Sequence, residues 1–208
     1  MAACDFTANF KGRERIKRLA DLVFECGMLR KTPRTGFQFL GSGKENVAEH
    51  SFRTAVITYI LSEMAGADSE RAVLLALFHD LHEARTGDFN YVNRRYNASV
   101  RTDALRDAFQ GTGMEDNLLG LWEELEKTET LEARLAQDAD QIDLMATLKE
   151  EEDLGNPYAR KWLDCALERL RTDEGKELAQ AISSTDHTDW WFKGPDEGWW
   201  KSKNGGKK

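Results

Sequence analysis

Residues 68–83 read DSERAVLLALFHDLHE, and this stretch decides the fold. Asp68 starts a helix, and Ala72-Val73-Leu74-Leu75-Ala76-Leu77-Phe78 runs apolar on every side of it. A helix apolar all round belongs in the middle of a bundle. The run ends on His79 and Asp80, so an imidazole and a carboxylate stand at the end of a buried helix, where both need a partner charge. A divalent cation is the simplest partner.

Helical spacing continues outward in both directions. Upstream, Val47, Phe52, Val56, Tyr59, Ile60 and Met64 mark a helix from Asn46 that Gly66 stops. Before it, Ile16, Leu19, Val23, Phe24 and Met28 mark an amphipathic helix broken by Gly27 and Pro33. Downstream, Thr86 to Asn97 is rich in asparagine and aromatics and reads as a loop laid over the helices. Further helices are expected at about 98–110, 114–127, 129–153, 157–171 and 174–183. No alternating strand pattern and no repeat occurs, so the fold class is all-α, an irregular helical bundle. One domain is expected over residues 1–183, followed by a Trp-rich tail, 184–208.

With 32% charged residues, 40% apolar residues and 3 prolines in 208 positions, the composition is that of a globular chain. No stretch approaches the roughly 18 apolar residues of a membrane span, so no membrane partner is expected. Asp5 and the Lys/Arg cluster in MAACDFTANFKGRERIKRL interrupt what a secretory signal would need, which points to the cytoplasm. Cys4, Cys26 and Cys165 contain no CxxC and read as reduced thiols. A net charge of -8 argues against a nucleic acid polymer as partner, yet one locally positive site can still take a small anion.

Histidine is scarce, with 4 in the chain, but His50, His79 and His82 fall within two neighbouring helices. His50, in Ala48-Glu49-His50-Ser51-Phe52, lies one turn before core positions, so its helix can aim the imidazole at the same ion. The segment Asp138-Ala139-Asp140-Gln141-Ile142-Asp143 adds carboxylates from a third helix, and spacing leaves Asp138, Asp140 and Asp143 all open as the ligand. Such an N/O set suits Mn, Co, Fe, Zn or Ni better than calcium and leaves positions for water and a substrate oxygen. A lone His-Asp pair would read as a helix-end salt bridge. Glu83 alters that balance: at i+4 from His79 and i+3 from Asp80 it shares their face, where a general base or water-positioning group belongs.

The order His50, then His79-Asp80, then Asp140 resembles the HD-domain phosphohydrolase superfamily, and AEHSF with HDLHEARTGD resembles its 5'-deoxynucleotidase branch, from about Leu22 to Asp153. The resemblance selects Asp140. It implies that His50, His79, Asp80 and Asp140 bind one divalent ion (Mn, Co, Fe, Ni, Zn or Mg), that Glu83 handles the attacking water, and that Asp88 also serves the reaction. It further implies hydrolysis of (deoxy)nucleoside 5'-monophosphates to nucleoside and phosphate by a helical homodimer. The branch carries a basic residue and often a tryptophan near a proline before its first histidine. Here Leu29 to Phe37 offers Lys31 or Arg34 for the substrate and no tryptophan, and Phe89 to Tyr96 replaces a proline-bearing segment, with Arg94 and Arg95 as further phosphate candidates.

Two other readings fit the residues less well. A phosphodiesterase or pyrophosphohydrolase of the two-metal kind needs more histidines than the 4 present. A structural ion or a nucleotide sensor would not need Glu83 and Asp88 beside an open coordination position. Elsewhere, His82 reads as a supporting or surface histidine and His187 as exposed. Trp190, Trp191, Trp199 and Trp200 read as packing on the bundle or at a dimer interface. Glu150 to Asp153 reads as a solvated helix end, and Met28 and Met145 read as core.

Overall fold

The computed structural model describes residues 6–98 and 100–193. Among the described residues every regular element is helical: α1 (Phe6–Cys26), α2 (Val47–Ala65), α3 (Ser69–Phe78), α4 (Glu83–Thr86), α5 (Tyr91–Tyr96), α6 (Arg101–Phe109), α7 (Glu115–Lys127), α8 (Leu131–Asp153), α9 (Ala159–Leu167), α10 (Asp173–Ser184) and α11 (Asp189–Phe192). Two 3-10 turns, Gly27–Lys31 and Thr35–Phe39, fill the connection between α1 and α2. None of these helices is long and apolar enough to cross a membrane.

Local chemistry starts the elements that matter. Asn46 accepts from the Glu49 N–H while the Glu49 carboxylate accepts from the Asn46 N–H, a reciprocal cap that begins α2. Gly66, with φ 66°, ends it in the left-handed region that suits glycine. Asp68 caps α3 by accepting from the Arg71 N–H. Asn90 accepts from the N–H groups of Val92 and Asn93, so the segment read from sequence as a loop contains the short helix α5. Six residues are too few for periodicity to have revealed it.

Helix α8 runs through the centre of the bundle. Ala133 and Ala136 belong to an apolar cluster with Leu75, Leu105, Phe109 and Trp122, whereas Leu135, Ile142, Met145 and Leu148 belong to a second with Ile57, Leu61 and Leu163. Helices α2 and α3 pack on α8 and on one another. The end of α3 therefore meets the middle of α8 beside α2.

Several apolar positions lie outside these clusters. In α2 the buried face carries Ser51, Thr54, Thr58 and Ser62, while Phe52 is 72% exposed and Val56, Tyr59, Ile60 and Met64 are exposed with it. Ser51, Thr58 and Ser62 each donate to the carbonyl four residues back, which satisfies them inside the helix and keeps α2 slim against its neighbours. Leu74 and Leu77 are also exposed, so α3 is not enclosed all round. Met28 is exposed rather than core, because the tighter 3-10 turn carries Leu29 inward instead. Met145 is buried.

The acidic run at the end of α8 is pinned rather than solvated. Glu151 is buried and accepts from the Ser42 hydroxyl, Glu150 pairs with Arg53 at 2.8 Å, and Asp153 pairs with Lys149 and with His187. Trp190 is 85% exposed and does not dock on the bundle. Trp199 and Trp200 lie outside the described residues.

Candidate metal centre and active site

His50 projects from the first half of α2, His79 caps the C-terminus of α3, Asp80 follows it, and Asp140 comes from the middle of α8. His50 is fully buried. Its Nδ1–H donates to Asp143 Oδ2 at 2.5 Å, and His79 Nδ1–H donates to the Ala76 carbonyl at 2.6 Å. Both acceptors fix the ring hydrogens on Nδ1 and leave both Nε2 atoms as lone pairs. Those two Nε2 atoms face each other 3.1 Å apart.

Two carboxylate oxygens complete the group. Asp80 Oδ2 lies 3.0 Å from His79 Nε2 and 3.5 Å from His50 Nε2, and Asp140 Oδ1 lies 3.1 Å and 4.0 Å from His50 Nε2 and His79 Nε2. Donors bound about 2.0–2.2 Å from one ion lie about 3.0–3.6 Å from each other. His50, His79 and Asp80 meet that spacing, Asp140 does so toward His50 and lies further from His79, and the donor chemistry suits a divalent ion. Burial alone would lower His79, but Asp80 and Asp140 outweigh it and raise the ring to about 9. Asp80 is held well below the usual carboxylate range, against its burial, by His79, His50 and Arg34.

The three acidic residues of α8 divide their roles by direction. Asp140 faces the Nε2 atoms, Asp143 accepts from His50 Nδ1 on the far side of the ring, and Asp138 accepts from the N–H groups of Arg171 and Thr172 and from the Thr172 hydroxyl. Arg53 holds Asp143 at 2.5 Å. Neither Asp143 nor Arg53 was singled out as support for His50 from the residue pattern, although the i+3 spacing of Asp143 from Asp140 was a usable signal.

Glu83 begins α4 and lies close to Asp80, within the reach of a shared ion. Its Oε2 is buried without a hydrogen-bond partner, and burial, with Asp80 and Asp88 beside it, pushes the carboxyl up to about 10. His82 is buried against Trp122, not on the surface, with ring centroids 5.3 Å apart, and burial pushes it down to about 4. Asp88 Oδ2 accepts from the Thr35 N–H at 2.6 Å, which ties the loop after α4 to the segment before α2.

That tie brings Arg34 to the site. Its guanidinium is 3.5 Å from Asp80 and 3.8 Å from Glu45, and although burial opposes its charge, Asp140, Asp80 and Asp88 keep it firmly protonated. Lys31 ends the 3-10 turn on the exposed surface and does not line the cavity that Arg34 enters. That cavity, of about 100 Å³, reaches from Asp80 and Asp140 to an aromatic wall of Phe37, Tyr91 and Trp162. Trp162 lies so close over Gly36 that a Cβ there would approach its ring to 2.8 Å. Sequence reading missed Trp162, because a single tryptophan on amphipathic α9 looks like core packing.

The chain matches the HD domain family over residues 26–182. It is 30% identical to the 5'-deoxynucleotidase HDDC2 of Bos taurus over 166 residues, which cover 77% of this chain and 80% of that one. The human 5'-deoxynucleotidase HDDC2 is 28% identical over 160 residues, covering 74% and 78%. A conserved hypothetical protein of Pyrococcus furiosus shares the fold with a TM-score of 0.68 at 28% identity, over 80% of this chain and 99% of that chain. A predicted metal-dependent phosphohydrolase of Magnetospirillum magnetotacticum shares it with a TM-score of 0.61 at 24% identity, over 81% and 91%.

Proposed function

The chain belongs to the HD-domain family and is a metal-dependent nucleotide phosphohydrolase, and we propose that it cleaves deoxynucleoside 5'-monophosphates to nucleoside and phosphate. The observation that carries this reading is the pair of opposed Nε2 lone pairs, 3.1 Å apart and flanked by two carboxylates, beside a buried carboxyl with no partner. Nitrogen lone pairs meeting in this way need a positive charge between them.

His50, His79, Asp80 and Asp140 would hold one divalent ion, which supplies electrophilic pull on a phosphate oxygen and acidifies a bound water. Glu83 receives the proton of the attacking water. Burial, Asp80 and Asp88 hold its carboxyl high, and a cation near Asp80 would lower it toward the range in which it accepts a proton at neutral pH. Arg34 neutralises a non-bridging phosphate oxygen, and Asp88 serves by holding Thr35, hence Arg34, in position. Phe37 and Trp162 wall the nucleoside, with Gln141 and Asn90 as the polar groups on its edge.

We assign the work to a single domain ending near residue 183, in keeping with the extent of the family match. A cytoplasmic location fits the free thiols of Cys26 and Cys165. A homodimer through the exposed stripe Phe52, Val56, Tyr59, Ile60 and Met64 fits the chemistry of that face.

The test is phosphate release from ribo- and deoxyribonucleoside monophosphates after chelation and restoration of Mn, Co, Ni, Zn or Mg. The expected result is metal-dependent release, lost in Asp80→Ala together with metal binding and lost in Glu83→Gln while metal still binds. A protein that binds the metal yet releases phosphate from no monophosphate would overturn the assignment.

A further inference from the structure

Two cavities open onto Asp80 and Asp140 and share Tyr91, Arg94 and Gln141. The first is the aromatic one. The second, of about 550 Å³, has a different wall: Arg94 from α5, Arg101 from α6, and Arg169 and Arg171 from the turn between α9 and α10. In a chain with 37 acidic and 29 basic residues, four arginines converging on one hollow beside an acidic ligand cluster need an explanation.

Their partners do not supply one. Arg169 is occupied: it donates to the Tyr91 hydroxyl and to Gln141 Oε1 at 3.2 Å, and its guanidinium carbon lies 4.9 Å over the Tyr91 ring. Among the described residues Arg101 has one ion pair, a long one with Glu126 at 3.9 Å. Asp138 lines the cavity, but its oxygens accept from the backbone N–H groups of Arg171 and Thr172 and from the Thr172 hydroxyl. Among the described residues the side chains of Arg94 and Arg171 form no ion pair. The anchored Arg171 backbone therefore presents a free guanidinium to the hollow.

A nucleoside monophosphate with its base at Trp162 and its phosphate at the four-ligand cluster leaves this second cavity unused. We propose that the cavity is a subsite for a further phosphoryl group, so that a nucleoside 5'-diphosphate binds with its inner phosphate at the ligand cluster and its outer phosphate among Arg94, Arg101 and Arg171. Guanidinium forks meet phosphate oxygens in paired, charge-assisted hydrogen bonds, which suits a second tetrahedral anion better than a neutral group. The diphosphate would therefore compete with the monophosphate. The inference rests on the monophosphatase reading for the position of the first phosphate.

The probe is a deoxyadenosine 5'-diphosphate analogue with methylene groups in place of both O5' and the α,β-bridging oxygen, so that neither the nucleoside–phosphorus bond nor the bridge can be hydrolysed, with dAMP as reporter substrate and Mn-loaded protein. Calorimetry should give binding at least about tenfold tighter than dAMP on catalytically silent Glu83→Gln, and inhibition of wild type should be competitive. In Arg101→Gln/Arg171→Gln that advantage should vanish while the KM for dAMP stays within about twofold. If the double variant melts early, Arg171→Gln alone decides the matter, since only its side chain is removed from an exposed position. Equal affinities for mono- and diphosphate, or an advantage that survives in the variants, would overturn the subsite. Absence of dAMP hydrolysis with arginine-dependent binding of the methylene compound would instead count against the monophosphatase reading and leave the subsite standing.

Discussion

The two faces of α2 depart from the usual pattern of a surface helix. The inner face sets Ser51, Thr54, Thr58 and Ser62 beside His50 and among the apolar Val47, Ile57 and Leu61, and the outer face is a stripe of Phe52, Val56, Tyr59, Ile60 and Met64. A helix normally buries its apolar stripe because that removes apolar area from water. Here slim hydroxyl side chains, satisfied within the helix, let α2 lie close to α3 and α8 and bring His50 Nε2 within 3.1 Å of both His79 Nε2 and Asp140 Oδ1. The inner face is shaped by the site, and the outer face offers the apolar surface proposed above for a dimer contact.

Substitutions on the inner side should have the largest effects. His50→Ala should abolish binding of the ion and bring phosphate release to background, read by metal content after gel filtration and by the release assay. Next comes Glu83→Gln, which should cost about 10²–10⁴ in kcat with metal content unchanged, as expected for a lost general base. Asp143→Asn should then weaken metal affinity by about 10–100-fold, because the His50 ring loses the carboxylate that orients it and makes Nε2 a better donor. A chelator titration reads that shift. On the outer face Ile60→Glu should convert a dimer to a monomer in light scattering and change kcat by less than about twofold, an exposed position being tolerant in the folded monomer. A variant that kept the dimer, or lost metal, would erase the contrast between the faces.

Much of the site was legible because its residue types are rare and ordered. His50, His79-Asp80 and Asp140 stand out on a chain with 4 histidines, and Glu83 follows from the helical offset. Choosing among Asp138, Asp140 and Asp143 was not possible from spacing. All three lie within a turn and a half of one helix, and what separates them is whether each carboxylate meets Nε2, Nδ1 or the start of α10. The orientation of α2 was also hidden. Periodicity shows that Phe52, Val56, Tyr59 and Ile60 share a face, but a stripe of hydroxyls and a stripe of apolar groups have the same period, so it does not tell which turns inward. Trp162 was out of reach for a different reason: it meets Gly36 from a distant helix, and only the fold brings them together.

Where the ion sits is tested most directly by anomalous diffraction from a manganese-soaked crystal of Glu83→Gln with dAMP. One peak should appear between His50 Nε2, His79 Nε2, Asp80 and Asp140, with the phosphate beside Arg34 and the base along Trp162. A peak instead at Glu45, His50 and Asp143, or at the exposed group of Asp153, Asp186 and His187, would contradict it.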